Sequence, residues 1–261
     1  MGKIIALVNQ KGGVGKTTSS INLAASLGLL GKKTLLVDLD PQGNSTTGVG
    51  INKGEVEFST YELLTGKAEV KRVVAKTKFK NLYMLPASIN LAGADMELLE
   101  QSRINPEFVP QLQLKKHLQE IKDVFDYIII DCPPSLGLIT TNALAAVNSV
   151  IMPVQCEFLS LEGIMQLLNS IRFAQKKLNP SLEIEGVLLT MLDPRTNLGL
   201  EVVEQIKSYF GDKVYYTIIP RLVRLAEAPS FGKPIHAYDP RSKGTEAYIN
   251  LAKEVIERNG G

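Results

Sequence analysis

Residues 3 to 18, Lys-Ile-Ile-Ala-Leu-Val-Asn-Gln-Lys-Gly-Gly-Val-Gly-Lys-Thr-Thr, constrain the chain more than any other stretch. Ile4, Ile5, Leu7 and Val8 make a nearly continuous apolar run, the pattern of a strand buried on both faces of a parallel sheet. Gly12, Gly13 and Gly15 follow at once. Lys16-Thr17-Thr18 then opens a helical pattern with apolar positions at Ile21, Leu23, Ala24, Leu27 and Leu30. Strand, glycine loop, Lys-Thr and helix is the order that a phosphate-binding loop requires. Glycines let backbone N–H groups turn inward around an anion. The helix points the positive end of its dipole at the same spot. The Lys16 ammonium is placed to reach β- and γ-phosphates, and the Thr17 hydroxyl to ligate Mg²⁺.

The rest of the chain alternates in kind. Residues 33–38, 82–85, 126–131, 149–154 and 185–192 read as strands, with a late strand over 213–218. Helical patterns cover 59–64, 89–100, 112–122, 161–177, 198–209 and 245–258, with a short helix or turn at 222–229. Residues 51–81 are less periodic and more charged, and read as a surface elaboration. The alternation predicts an α/β fold with a mostly parallel, twisted sheet and helices on both faces. No linker, internal repeat or low-complexity segment interrupts the 261 residues, so a single domain over 1–261 is expected.

Three aspartates end or follow apolar strands: Asp38 and Asp40 in Leu-Leu-Val-Asp-Leu-Asp-Pro-Gln-Gly-Asn, and Asp131 in Tyr-Ile-Ile-Ile-Asp-Cys-Pro-Pro. Ligands of open α/β sheets bind at that edge. A carboxylate there can lie beside the phosphate loop and hold Mg²⁺ or a water.

A net charge of +2 carries no bulk field toward nucleic acid, so any basic surface has to be local. Residues 213–243 hold six basic side chains, Lys213, Arg221, Arg224, Lys233, Arg241 and Lys243, against Glu227 and Asp239. Such a patch can neutralise phosphates without reading sequence, or it can be a solvated face. Cys132 and Cys156 fall in core strands or at their ends, which suggests a reducing compartment. The chain opens on its first strand, with no room for a signal peptide and no apolar run of about 18 residues. A cytoplasmic protein is expected.

The loop departs from the usual Gly-x-x-x-x-Gly-Lys-[Ser/Thr] pattern, because Gln10 stands where the first glycine would be. Lys11-Gly12-Gly13-Val14-Gly15-Lys16-Thr17-Thr18 instead resembles the deviant Walker A motif of the ParA/MinD family of P-loop ATPases. The resemblance runs the whole length. Residues 38–44 are similar to switch I of ParA proteins, and Pro133-Pro134-Ser135-Leu136-Gly137 to switch II. Pro153-x-Gln155-x-Glu157-x-x-Ser160-Leu161-Glu162-Gly163 and Ile219-Pro220-Arg221-x-x-x-Leu225-x-Glu227-Ala228-Pro229 also follow the family pattern. The nearest likeness is to the short, chromosomally encoded Soj type, without the N-terminal helix-turn-helix extension of plasmid ParA proteins.

The resemblance implies a P-loop NTPase fold and a chromosome or plasmid partitioning ATPase using ATP, ADP and Mg²⁺. It implies that Lys11 reaches the nucleotide of a partner subunit in an ATP-bound sandwich homodimer. Asp131 becomes the Walker B residue, and Asp40 the group that orients the attacking water. Asp38 supports the metal and lysine network; the alternative is that it caps the loop. Lys11, Gly12, Gly13, Val14, Gly15, Lys16, Thr17 and Thr18 hold the phosphates. Thr190-Met191 and Pro220-Arg221-Leu222 lie near the adenine. The ATP dimer binds DNA nonspecifically through basic residues, with Arg195, Arg221, Arg224 and Lys243 the candidates, so a nucleoid association follows. A ParB-like partner stimulates slow hydrolysis.

Two rivals share the loop. A MinD-like membrane-cycling ATPase needs a basic amphipathic C-terminal helix, whereas residues 251–261 mix signs and end in Gly-Gly. An iron–sulfur reductase needs two cluster thiolates per subunit, but Cys132 and Cys156 read as small buried hydrophobes.

Overall fold

The computed structural model describes residues 2–157, 161–193 and 195–260. Ser160 of the 153–163 motif lies outside the described residues. Among these, eight strands form one sheet: β1 (Lys3–Leu7), β2 (Thr34–Asp38), β3 (Ala75–Lys76), β4 (Leu82–Leu85), β5 (Tyr127–Asp131), β6 (Ser149–Gln155), β7 (Glu183–Leu192) and β8 (Ile219–Pro220). Their order is β3-β4-β2-β5-β1-β6-β7-β8. All neighbours pair in parallel except β3 with β4.

The apolar runs are buried on both faces, as a parallel sheet demands. Ile4, Ala6, Val8, Leu35, Val37, Ile128 and Ile130 face one core, with Ala143 and Leu144 (helix Leu138–Ala146), Ile171 (helix Leu161–Lys177) and Val203 (helix Asn197–Phe210). Ile5, Leu7, Leu36, Ile129 and Ile151 face the other, under helices Lys16–Leu29 and Lys243–Arg258. The expected α/β sheet with helices on both faces is therefore observed.

β1 lies at the centre, with Leu7 in register with Asp131 of β5 and Ile151 of β6. Asp38 of β2 pairs with Asp131 in turn. The C-terminal ends of β1, β2 and β5 thus stand side by side, and each feeds a loop at one edge of the sheet.

One expected strand is corrected. Residues 213–218 have β-like composition but form no strand. Gly211–Lys213 is a 3₁₀ turn, and Val214 makes a single bridge to Val187. The N–H groups of Tyr216 and Thr217 donate to the Glu254 carboxylate of the closing helix, at 2.9 and 3.1 Å, so the chain leaves the sheet edge. Pairing with β7 resumes only at Ile219–Pro220. The helix expected over 89–100 is likewise split into a 3₁₀ turn, Ile89–Gly93, and an α-helix, Ala94–Ile104.

Candidate nucleotide site

The loop between β1 and helix Lys16–Leu29 is built around two left-handed glycines, Gly13 at φ +74° and Gly15 at φ +84°. A side chain is disfavoured at both by its own backbone. Gly15 is the helix N-cap, with no side-chain cap and no acidic residue in the first turn. No side-chain cap and no carboxylate of the first turn takes the N–H groups there, which suits a phosphate. The loop is braced from below. Asn9 donates through Nδ2 to the Pro153 carbonyl at 2.7 Å and accepts the Lys11 N–H at 3.0 Å. Thr190 of β7 donates to the Val14 carbonyl at 2.9 Å.

Lys16 is buried, and its ammonium donates to the Lys11 carbonyl at 2.9 Å inside the loop. Burial lowers its pKa, while Asp131, Cys132 and Asp40 raise it. Among the described residues it has no ion-pair partner within 4 Å, so a nearby phosphate would supply the missing counter-charge.

Asp131 is closed off from solvent, and hydroxyls hold both its oxygens. Ser20 donates to Oδ1 at 3.1 Å and Ser45 to Oδ2 at 2.6 Å, and the Thr17 hydroxyl lies beside the same carboxylate. Burial pushes its pKa up to about 6 against those bonds. Asp38 is equally buried and is pushed up to about 7, first by burial and then by Asp131. Its Oδ2 accepts the Thr46 N–H and hydroxyl at 2.9 and 2.8 Å, and its Oδ1 accepts the Asp40 N–H at 3.1 Å. These bonds tie the Asp38 carboxylate to the loop that follows β2, at Asp40 and Thr46. Asp40 is half-exposed in the turn 40–43, accepting the Gln42 N–H at 2.9 Å.

Thr17 and Asp131 therefore present oxygen ligands beside the phosphate loop, the donor set a hard divalent cation such as Mg²⁺ prefers. Next to them opens a cavity of about 340 Å³ lined by Gly15, Thr18, Thr190, Met191, Pro220, Arg221 and Leu222, with Leu225 and Tyr248. All five residues expected near the adenine line it. Met191 sits at φ +56°, a conformation that costs a non-glycine residue on the order of 1–3 kcal/mol.

The four DNA candidates are not a bare patch. Arg195 holds Asp193 through two bonds, Nε at 2.9 Å and Nη2 at 2.7 Å, which keeps that carboxyl at about 2. Arg221 pairs with Glu157. Arg224 lies 3.9 Å from both Glu227 and Asp239. Lys243, the first residue of the closing helix, is exposed and has no partner for its ammonium among the described residues. Sequence reasoning did not single out Asn9, Ser20, Ser45 or Thr46. Ser20 lies one helical turn after Lys16, and Ser45-Thr46 directly follows the 38–44 stretch, the one signal available.

Residues 2–184 match a family described as an AAA domain. The chain is 59% identical to the sporulation initiation inhibitor protein Soj of Bacillus subtilis (strain 168), with 98% of each chain covered. It is 53% identical to the chromosome-partitioning ATPase Soj of Treponema pallidum (strain Nichols), over 100% of this chain and 99% of that one. The chain belongs to the ParA/Soj family. It is a P-loop ATPase of the chromosome-partitioning type, and its cofactors are ATP or ADP with Mg²⁺. Among solved structures, cobyrinic acid a,c-diamide synthase from Mycobacterium smegmatis with a bound ATP analogue and magnesium is 35% identical, at a TM-score of 0.86 over 100% of this chain and 97% of that one. The septum site-determining protein MinD from Pyrococcus horikoshii OT3, complexed with Mg-ADP, is more distant, 28% identical at a TM-score of 0.80, over 100% and 98%.

The fold also weighs against features of the two rivals. Tyr248, Leu251, Ala252 and Val255 of the closing helix are spent in the core. Cys132 and Cys156 are buried, and burial raises both thiols, Cys156 to about 11.

Proposed function

We propose that ATP closes two copies of this chain into a sandwich dimer that binds double-stranded DNA without sequence preference, and that a ParB-like partner resets it by stimulating slow hydrolysis. The observation that carries this reading is the division of labour between two lysines. Lys16 is buried with its ammonium inside the loop, whereas Lys11 is exposed at the loop's start and, among the described residues, offers its own chain only its carbonyl and N–H. An exposed ammonium beside a phosphate site is free to serve a nucleotide on a second copy.

The site residues take these roles. The backbone N–H groups of Gly12 to Thr18 cradle the phosphates, and Lys16 neutralises the β–γ bridge. Thr17 and Asp131 would hold Mg²⁺, whose charge stabilises the transferring phosphoryl group; Asp38 secures the loop beside them. Asp40 orients the attacking water, and Lys11 of the second copy adds positive charge at the leaving phosphates. The cavity under Met191, Pro220 and Arg221 takes the adenine. Arg195, Arg221, Arg224 and Lys243 contact DNA phosphates. Exposed ion pairs are worth about 0–1 kcal/mol, so exchanging a carboxylate for a phosphate is a small step for these arginines. DNA binding would place the protein in the cytoplasm on the nucleoid.

Sedimentation with plasmid DNA or liposomes, each with ATP, ADP or no nucleotide, tests the reading. Pelleting with DNA in ATP alone supports it; pelleting with liposomes would replace it with a MinD-type membrane cycle.

A further inference from the structure

Of the three hydroxyls that converge on Asp131, two come from the phosphate-loop helix, Thr17 and Ser20. The third does not. Ser45 lies in the helix Asn44–Gly48, which begins directly after the turn of Asp40, closed by the Gly43 N–H on the Asp40 carbonyl at 2.8 Å. Ser45 is fully buried, and its hydroxyl donates to Oδ2 of Asp131 at 2.6 Å. Among the described residues it is the one hydrogen bond from segment 39–48 to that carboxylate. Its neighbour Thr46 carries the scaffolding: two bonds to Asp38, and a third, at 2.9 Å, from the Ala87 N–H to its hydroxyl. The backbone at 45–46 is therefore held without help from the Ser45 hydroxyl.

We propose that Ser45 is a positioning residue for ATP hydrolysis, orienting the Asp131 carboxylate and tying it to the turn that carries Asp40. Donors on both oxygens, Ser20 on Oδ1 and Ser45 on Oδ2, fix the rotation of the carboxylate, which leaves its remaining lone pairs aimed at one place. The metal-side carboxylate and the water-side carboxylate are then set by one short rigid segment. This rests on the ATPase reading of the site and on neither the dimer nor the DNA.

Partners that orient a metal-side ligand typically contribute about 10–100-fold to metal affinity or activity. The test uses the full chain with Ser45→Ala, with Ser45→Thr as the variant that keeps the hydroxyl and Ser45→Cys as a near-isosteric weak donor should alanine not fold. ADP affinity is titrated in EDTA and across MgCl₂ concentrations, and kcat and KM are measured at saturating Mg²⁺. In Ser45→Ala, ADP affinity in EDTA should match wild type. The Mg²⁺ needed for half-maximal effect should rise about tenfold, and kcat should fall about 10–100-fold with KM within about threefold. Ser45→Thr should recover most of both, and Ser45→Cys should move in the direction of alanine. An unchanged Mg²⁺ requirement and kcat would overturn the proposal. So would an equal loss of ADP affinity in EDTA and in Mg²⁺, which marks packing alone. A wild-type chain that binds no Mg-ADP would overturn the proposal together with its premise.

Discussion

Asp38 and Asp131 stand in register on adjacent strands, β2 and β5, and both carboxylates are fully closed off from solvent. Burial raises both, and Asp131 raises Asp38 further, to about 7 and about 6 for Asp38 and Asp131. An unfolded aspartate titrates near ~3.9. Between about pH 4 and pH 7 the folded, metal-free chain therefore binds more protons than the unfolded chain. Its stability from this pair is present at low pH and is lost as pH rises through the folded values. Asp38→Asn removes one charge of the pair and keeps an acceptor for Thr46, at a cost that does not vary with pH. In EDTA without nucleotide, wild-type Tm should decline more steeply between pH 5 and pH 8 than that of Asp38→Asn. Parallel curves would show that burial and the neighbouring Asp131 do not raise Asp38 as described.

Gly232 and Gly50 meet backbone to backbone, joining the end of helix Asn44–Gly48 to the turn after Ala228–Phe231. Both are left-handed, at φ +63° and +78°. A Cβ on Gly232 would stand 2.9 Å from the Gly50 Cα and 3.3 Å from the Thr47 carbonyl oxygen, neither of which can swing away. Gly232→Ala should lower stability by about 2–4 kcal/mol, from the conformation and the clash together. Gly12→Ala, where a Cβ meets nothing within 4 Å, should change it by less than about 0.5 kcal/mol. Urea unfolding midpoints of the two variants decide; equal midpoints would refute the close approach.

Arg224→Glu exchanges an exposed cation for an anion beside Glu227 and Asp239. Stability should change by less than about 1 kcal/mol. ATP-dependent DNA retention should weaken by a similar factor on unrelated sequences, with the salt slope reduced by about one. Retention unchanged across salt concentrations would make this face a solvated surface.

Much of this was legible in the residues. Strands β1, β2 and β5 announce themselves as apolar runs ending at the loop or at an aspartate, and Gly13 and Gly15 occupy positions where the backbone does turn left-handed. What escaped was set by distant parts of the chain. Residues 213–218 have the composition of a strand, yet Glu254, some forty positions later, takes two of their N–H groups. Serines carry no local signature, and Ser20 and Ser45 meet Asp131 only because the β1–β5 and β2–β5 registers bring it between them. Charge counting over 213–243 set Glu227 and Asp239 against the basic residues, but which carboxylate meets which arginine, Asp193 with Arg195, Glu157 with Arg221 and Asp239 with Arg224, is decided by the fold.

The exchange of Lys11 between two copies is tested most directly by the molar mass of Asp40→Ala in ATP and Mg²⁺, measured by light scattering with and without Lys11→Ala in the same chain. Without Asp40 the ATP form should accumulate, because the group that orients the water is gone while the phosphate loop is intact. Asp40→Ala should therefore double its mass from 28.6 kDa in ATP but not in ADP, and the Asp40→Ala, Lys11→Ala chain should stay at 28.6 kDa in both while still binding ATP. A doubled mass in the chain lacking Lys11 would show that this lysine serves its own loop, and that the sandwich is held by other contacts.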